Sequence, residues 1–123
     1  MFRDVLTTLY CADLDASLRF YRDRLGFRES FRYPREGLPL HVELRLGGAV
    51  IALSTLDAIA AYGLPASRGE PFELAVGAAD TDAAVAALRA AGVPVRVEPM
   101  VAPNGQRVAY VADPDGNRVR IWS

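Results

Sequence analysis

Leu6-Thr-Thr-Leu-Tyr-Cys-Ala-Asp13-Leu-Asp-Ala16 lies over Glu73-Leu-Ala-Val-Gly-Ala-Ala-Asp80-Thr-Asp-Ala83 without a gap. Asp13 matches Asp80, and Asp15 matches Asp82. In each stretch a short run precedes an aspartate that can cap a helix, with a second acid favourable in the first turn. Each therefore reads as a strand feeding a helix. A repeated unit that cannot cover its own sheet implies a twin.

Working outward, the first half reads β-α-β-β-β. Val5 to Cys11 is the first strand. Leu14, Leu18, Tyr21 and Leu25 recur at helical spacing, and Gly26 sits where a terminating glycine belongs, giving a helix over Asp13–Leu25. Phe27 to Tyr33 reads as a strand with Phe27, Phe31 and Tyr33 on one face. Leu40, Val42, Leu44 and Leu46 alternate with His41, Glu43 and Arg45, a half-buried strand. Gly47-Gly48 is a hairpin turn, and Ala49 to Ser54 returns as a strand.

The second half repeats that order. Phe72 to Ala78 is a strand, Thr81–Ala91 a helix with Val85 and Leu88 inward, and Val93 to Met100 a strand. Gln106 to Ala112 follows the turn Pro103-Asn104-Gly105. Asp113-Pro-Asp-Gly-Asn117 closes a last hairpin: Pro114 pre-sets φ, the aspartates accept from nearby backbone N–H groups, and Gly116 supplies positive φ. Val119 and Ile121 then point one way, and Arg118, Arg120 and Trp122 the other. The predicted organisation is a first module at 1–54, a linker at 55–71 with a short helical turn at Leu56–Tyr62, and a second module at 72–123. The fold class is α+β: two βαβββ modules in tandem, forming curved mixed sheets around a cleft.

The 123-residue chain is 51% hydrophobic and 24% charged, so it can bury a core and is not disordered. A net charge of −1 with no basic stripe argues against nucleic acid. No apolar run approaches a membrane span, and Met1-Phe-Arg-Asp4 lacks signal-peptide character. One cysteine, Cys11, excludes an internal disulfide. A cytoplasmic location without membrane contact is expected.

Asp13-Leu-Asp-Ala-Ser-Leu-Arg-Phe-Tyr-Arg-Asp-Arg-Leu-Gly-Phe27 resembles the first-helix signature of the vicinal oxygen chelate superfamily, and Asp113-Pro-Asp-Gly-Asn117 its closing hairpin. That group contains glyoxalase I, extradiol dioxygenases, fosfomycin-resistance transferases and bleomycin-resistance proteins. The resemblance implies modules paired across a homodimer. It also implies metal ligands on the first and last strand of each module, which here fall on Leu6, Ala52, Glu73 and Arg120. Leucine and alanine offer no donor atom, and arginine is an obligate cation. No cofactor is therefore expected, and a divalent metal only through a non-standard site built from His41, Glu43 or Glu73.

The reading is a metal-independent small-molecule-binding protein of the glyoxalase/bleomycin-resistance type, one that sequesters or carries an apolar-aromatic ligand, with antibiotic resistance among the roles the resemblance implies. Its expected lining is Leu6, Thr8, Tyr10, His41, Glu43, Ala52, Glu73, Tyr110, Arg120 and Trp122. Glu73 pairs with Arg120 in place of the lost metal charge, and a guanidinium beside an indole suits a planar or anionic ligand. The alternative is a lyase or dioxygenase-like enzyme using a non-standard metal site, or Glu73 as an acid/base whose pKa burial raises. Cys11, facing the helix, is inert packing. No Ser-His-Asp set is possible without His41, the single histidine, and nothing in the sequence positions it.

Overall fold

The computed structural model describes Met1, Arg3, residues 6–60 and residues 73–123. The chain divides into two compact units, Met1–Arg68 and Gly69–Ser123. Val5, Phe72 and most of the predicted linker lie outside the described residues.

Unit 1 contains β1 (Thr7–Cys11), α1 (Leu14–Leu18), β2 (Arg28–Tyr33), β3 (His41–Leu46), β4 (Ala49–Thr55) and α2 (Leu56–Ala60). Its sheet runs β1-β4-β3-β2, with β1 parallel to β4 and the other pairs antiparallel. Asp13 caps α1: its carboxylate accepts the Ala16 N–H at 3.0 Å. Leu14, Leu18, Phe20 and Tyr21 are buried on the sheet-facing side. From Arg19 to Arg24 the helix widens to π geometry, with Leu25 N donating to Phe20 O at 3.0 Å. The predicted single α-helix is thus α-helical for its first part only. The wider turn brings Phe20 in beside Tyr21, whose rings meet edge-on at 4.8 Å.

Phe27, Phe31 and Tyr33 do not share a face. Ser30 is an extra residue between Glu29, paired with Leu44, and Phe31, paired with Glu43. This bulge flips the alternation. Phe27 is buried edge-on against Tyr21 at 6.0 Å, whereas Phe31 and Tyr33 are exposed on the opposite face. Val42, Leu44, Ile51 and Leu53 fill the helix-side core, each contributing about 1.5–3 kcal/mol by burial.

Unit 2 contains β5 (Leu74–Gly77), α3 (Thr81–Ala90), β6 (Val95–Val101), β7 (Arg107–Ala112) and β8 (Arg118–Trp122), in the sheet order β5-β8-β7-β6. Asp80 repeats the cap, accepting from Ala83 N at 3.1 Å. Val85 and Leu88 of α3 are buried, as are Val111, Val119 and Ile121 of the sheet. The β7–β8 turn is anchored by Asp113, itself only 4% exposed. It accepts from Asp115 N at 3.0 Å, Asn117 N at 2.7 Å and Asn117 Nδ2 at 2.8 Å. Gly116 closes the turn at φ 85°. At the far end of the sheet Arg107 forms a two-bond pair with Asp82, at 2.8 and 2.9 Å. That guanidinium holds the Asp82 carboxyl below its usual range. The result is two four-stranded mixed sheets, each βαβββ in chain order, as the repeat predicts.

Candidate functional site

Each sheet has one face toward its helix and one face away from it. In unit 2 the register pairs Ala75, Arg120 and Tyr110 across β5, β8 and β7. Buried Val119 and Ile121 take the helix side, so this row lies on the open face. Glu73, two residues before Ala75, follows the same alternation. Its Oε1 accepts from Arg120 Nη2 at 2.8 Å and from the Tyr110 hydroxyl at 3.5 Å. The ion pair predicted between Glu73 and Arg120 is therefore formed. Arg120 Nε is buried and finds no acceptor among the described residues. Trp122 lies on the same face, 38% exposed, with its ring against Gly77.

In unit 1 the open face carries two rows. Thr8, Ala52, Glu43 and Phe31 are in register across β1, β4, β3 and β2. Tyr10, Ser54, His41 and Tyr33 form the next row. Ala52 is fully buried, and Leu6, just before β1, is exposed. His41 is held at both ring nitrogens: Nδ1 lies 2.7 Å from Ser54 Oγ and Nε2 3.1 Å from Glu43 Oε2. Local spacing relates His41 to Glu43 alone; the structure adds Ser54. The hairpin arithmetic is the signal that finds it. A two-residue turn at Gly47-Gly48 sets Leu46 against Ala49 and so His41 against Ser54.

The structure also shows an open depression of about 510 Å³ lined by Glu29, Ser30, Phe31, Arg32 and Arg35, which sequence reasoning missed. Its signal is the bulge at Ser30, which no composition reveals. Glu29 accepts from Arg32 at 2.8 and 3.3 Å and lies 3.7 Å from Arg22. These are surface pairs, worth little in stability.

The residues do not fit the metal site that the resemblance implies. Leu6 and Ala52 have no donor atom, and Arg120 occupies the Glu73 carboxylate. Among the described residues no three His, Cys, Asp or Glu side chains gather as a metal would need. Among the described residues no helix is long and apolar enough to cross a membrane.

The family model described as Glyoxalase/Bleomycin resistance protein/Dioxygenase superfamily matches residues 5–121. No curated protein matches the chain. Among solved structures, hypothetical protein SA1046 from S. aureus is similar at 24% identity and TM-score 0.81, covering 99% of this chain and 94% of that one. A glyoxalase-related enzyme from Fulvimarina pelagi gives 26% identity and TM-score 0.80, covering 99% and 88%. Lactoylglutathione lyase from Agrobacterium tumefaciens gives 25% identity and TM-score 0.72, covering 98% and 92%.

Proposed function

We infer a binding function from one premise: the chain belongs to the Glyoxalase/Bleomycin resistance protein/Dioxygenase superfamily. The function is metal-independent capture of a small apolar-aromatic molecule, to sequester or carry it. The observation that carries this reading is the Glu73–Arg120 pair at 2.8 Å. It commits the last carboxylate among the four ligand positions to a guanidinium. Arg120 supplies a partly exposed guanidinium, and Trp122 an exposed indole on the same face. Together they suit a flat ligand bearing an acceptor oxygen. Leu6, Thr8, Tyr10, His41, Glu43 and Ala52, expected with them from the sequence, belong to unit 1. A cytoplasmic homodimer is part of the same reading.

Trp122, the single tryptophan, reports the test. Titration with an aromatic sulfonate such as anilinonaphthalene sulfonate is expected to change its fluorescence saturably. Arg120→Met is expected to weaken that binding roughly tenfold or more, the worth of a hydrogen bond to a charged group. Equal affinity in the variant contradicts the reading.

A lyase or dioxygenase-like enzyme is the second reading, favoured by the similarity to the Agrobacterium lyase. Its acid/base form needs Glu73 in an apolar setting. The Glu73 side chain is 31% exposed and ion-paired, which removes that condition.

A further inference from the structure

We propose that Ser54, a buried serine on the sheet face of unit 1 that points away from α1, is a nucleophile activated by His41 and Glu43 that takes an acyl group from an activated ester. The proposal goes beyond the binding reading and stands without it. Three side chains from two adjacent strands make one hydrogen-bonded line: Ser54 Oγ to His41 Nδ1 at 2.7 Å, then His41 Nε2 to Glu43 Oε2 at 3.1 Å. His41 and Glu43 are two apart on β3, so both side chains leave the same face. Ser54 is directly opposite His41 in register.

The chemistry of the line fixes its protons. An ionised carboxylate only accepts, so Glu43 takes the Nε2 proton of His41. In the neutral imidazole the other nitrogen, Nδ1, then has only a lone pair. It accepts from the Ser54 hydroxyl, the sole donor within reach in this line. This is the arrangement in which a base is oriented by an acid and stands against a nucleophile. Phe31 steadies the ring from the side, its centroid 6.1 Å from the imidazole at 67°. Tyr10 and Tyr33 flank the same row, 39% and 59% exposed, and offer apolar surface to an aryl ester.

The Ser54 hydroxyl proton passes to His41 Nδ1 as Oγ bonds the ester carbonyl carbon. The carbonyl–alkoxy bond breaks, and the proton on Nδ1 goes to the departing oxygen. The products are O-acyl-Ser54 and an alcohol. β4 is hydrogen-bonded on both sides, to β1 and β3, and Thr55 N donates to Leu40 O at 3.0 Å. Those backbone donors are spent, so they build no oxyanion hole at Ser54. The adduct is expected to persist rather than turn over quickly.

The test is p-nitrophenyl acetate with the full chain, read by nitrophenolate release and peptide mass spectrometry. The sequence contains no lysine, so few side chains compete for acetyl; Ser54 is itself only 5% exposed, so the acetyl group must enter a nearly closed site to reach it. The expected result is a burst of about one nitrophenolate per chain, with the acetyl mass on the Ser54 peptide. Ser54→Ala abolishes the burst. His41→Gln slows it by roughly a hundredfold or more, the usual worth of a general base. Glu43→Gln also slows it, and carries the test if His41→Gln does not fold. The proposal is overturned if acetyl is found only on tyrosine or the terminal amine. It is overturned equally if Ser54 reacts at the same rate in the His41 and Glu43 variants. A serine whose hydroxyl merely satisfies a buried hydrogen bond gives those results.

Discussion

The two units share a frame and invert one cross-strand contact. In unit 1 Tyr10 on β1 stands beside Ser54 on β4, large against small. The ungapped repeat matches Tyr10 with Gly77, and Gly77 on β5 stands beside Trp122 on β8, small against large. The polar groups have moved with them. Unit 1 concentrates its chemistry on β3, where His41 and Glu43 lie side by side. Unit 2 has Val108 and Tyr110 at the matching places of its own middle strand and charges β8 instead, through Arg120. The duplication preserves capping, strand order and the helix-side core, whereas the face away from the helix differs between the two units. Family and fold are properties of the frame; function has to be argued from the faces.

The comparison can be broken most forcefully in the cores. Tyr21 is fully buried, edge-on to Phe20 and Phe27, and has no aromatic counterpart among the buried residues of α3. Tyr21→Ala is expected to cost about 3–5 kcal/mol, against about 2–3 kcal/mol for Leu88→Ala in unit 2. Urea denaturation of both variants measures this, and equal losses would show that the aromatic cluster is not what distinguishes the first core. The caps should behave alike. Asp13→Ala and Asp80→Ala each remove one carboxylate-to-backbone bond of about the same length, so each is expected to cost about 1 kcal/mol. A clear inequality would mean that the wide π turn after α1 changes what its cap is worth. The smallest effect sharpens the inverted contact. A methyl at Gly77 would lie 3.2 Å from Trp122 Cζ2. Because Trp122 is partly exposed, the ring can give way, and Gly77→Ala is expected to shift stability by less than about 1 kcal/mol. Its tryptophan emission should shift all the same; unchanged emission would argue against ring contact at Gly77.

Much of this frame was legible. Asp13 and Asp80 announce both helix starts, Gly47-Gly48 and Asp113-Pro-Asp-Gly-Asn117 announce two hairpins, and alternation separates Val119 and Ile121 from Arg120 and Trp122. The Glu73–Arg120 pair could be anticipated because the repeat placed both on one face. What escaped depends on single-residue insertions and on contacts across strands. The bulge at Ser30 reverses Phe31 relative to Phe27, and nothing in Arg28-Glu-Ser-Phe31 marks it. The π turn similarly inserts one residue into a helix whose apolar spacing still looks α-helical. The Ser54–His41 bond was recoverable, but only by counting register through the turn rather than by looking for nearby ligands.

In the proposed reading the Arg120 guanidinium, paired with Glu73, takes the place of a metal at the ligand positions that the family resemblance implies. Equilibrium dialysis of the purified chain against zinc, nickel, manganese and iron tests it most directly. No stoichiometric uptake of any of the four is expected, in the native protein or after prior treatment with chelator. About one metal bound per chain at micromolar concentration, switching on a lyase or dioxygenase reaction, would contradict it.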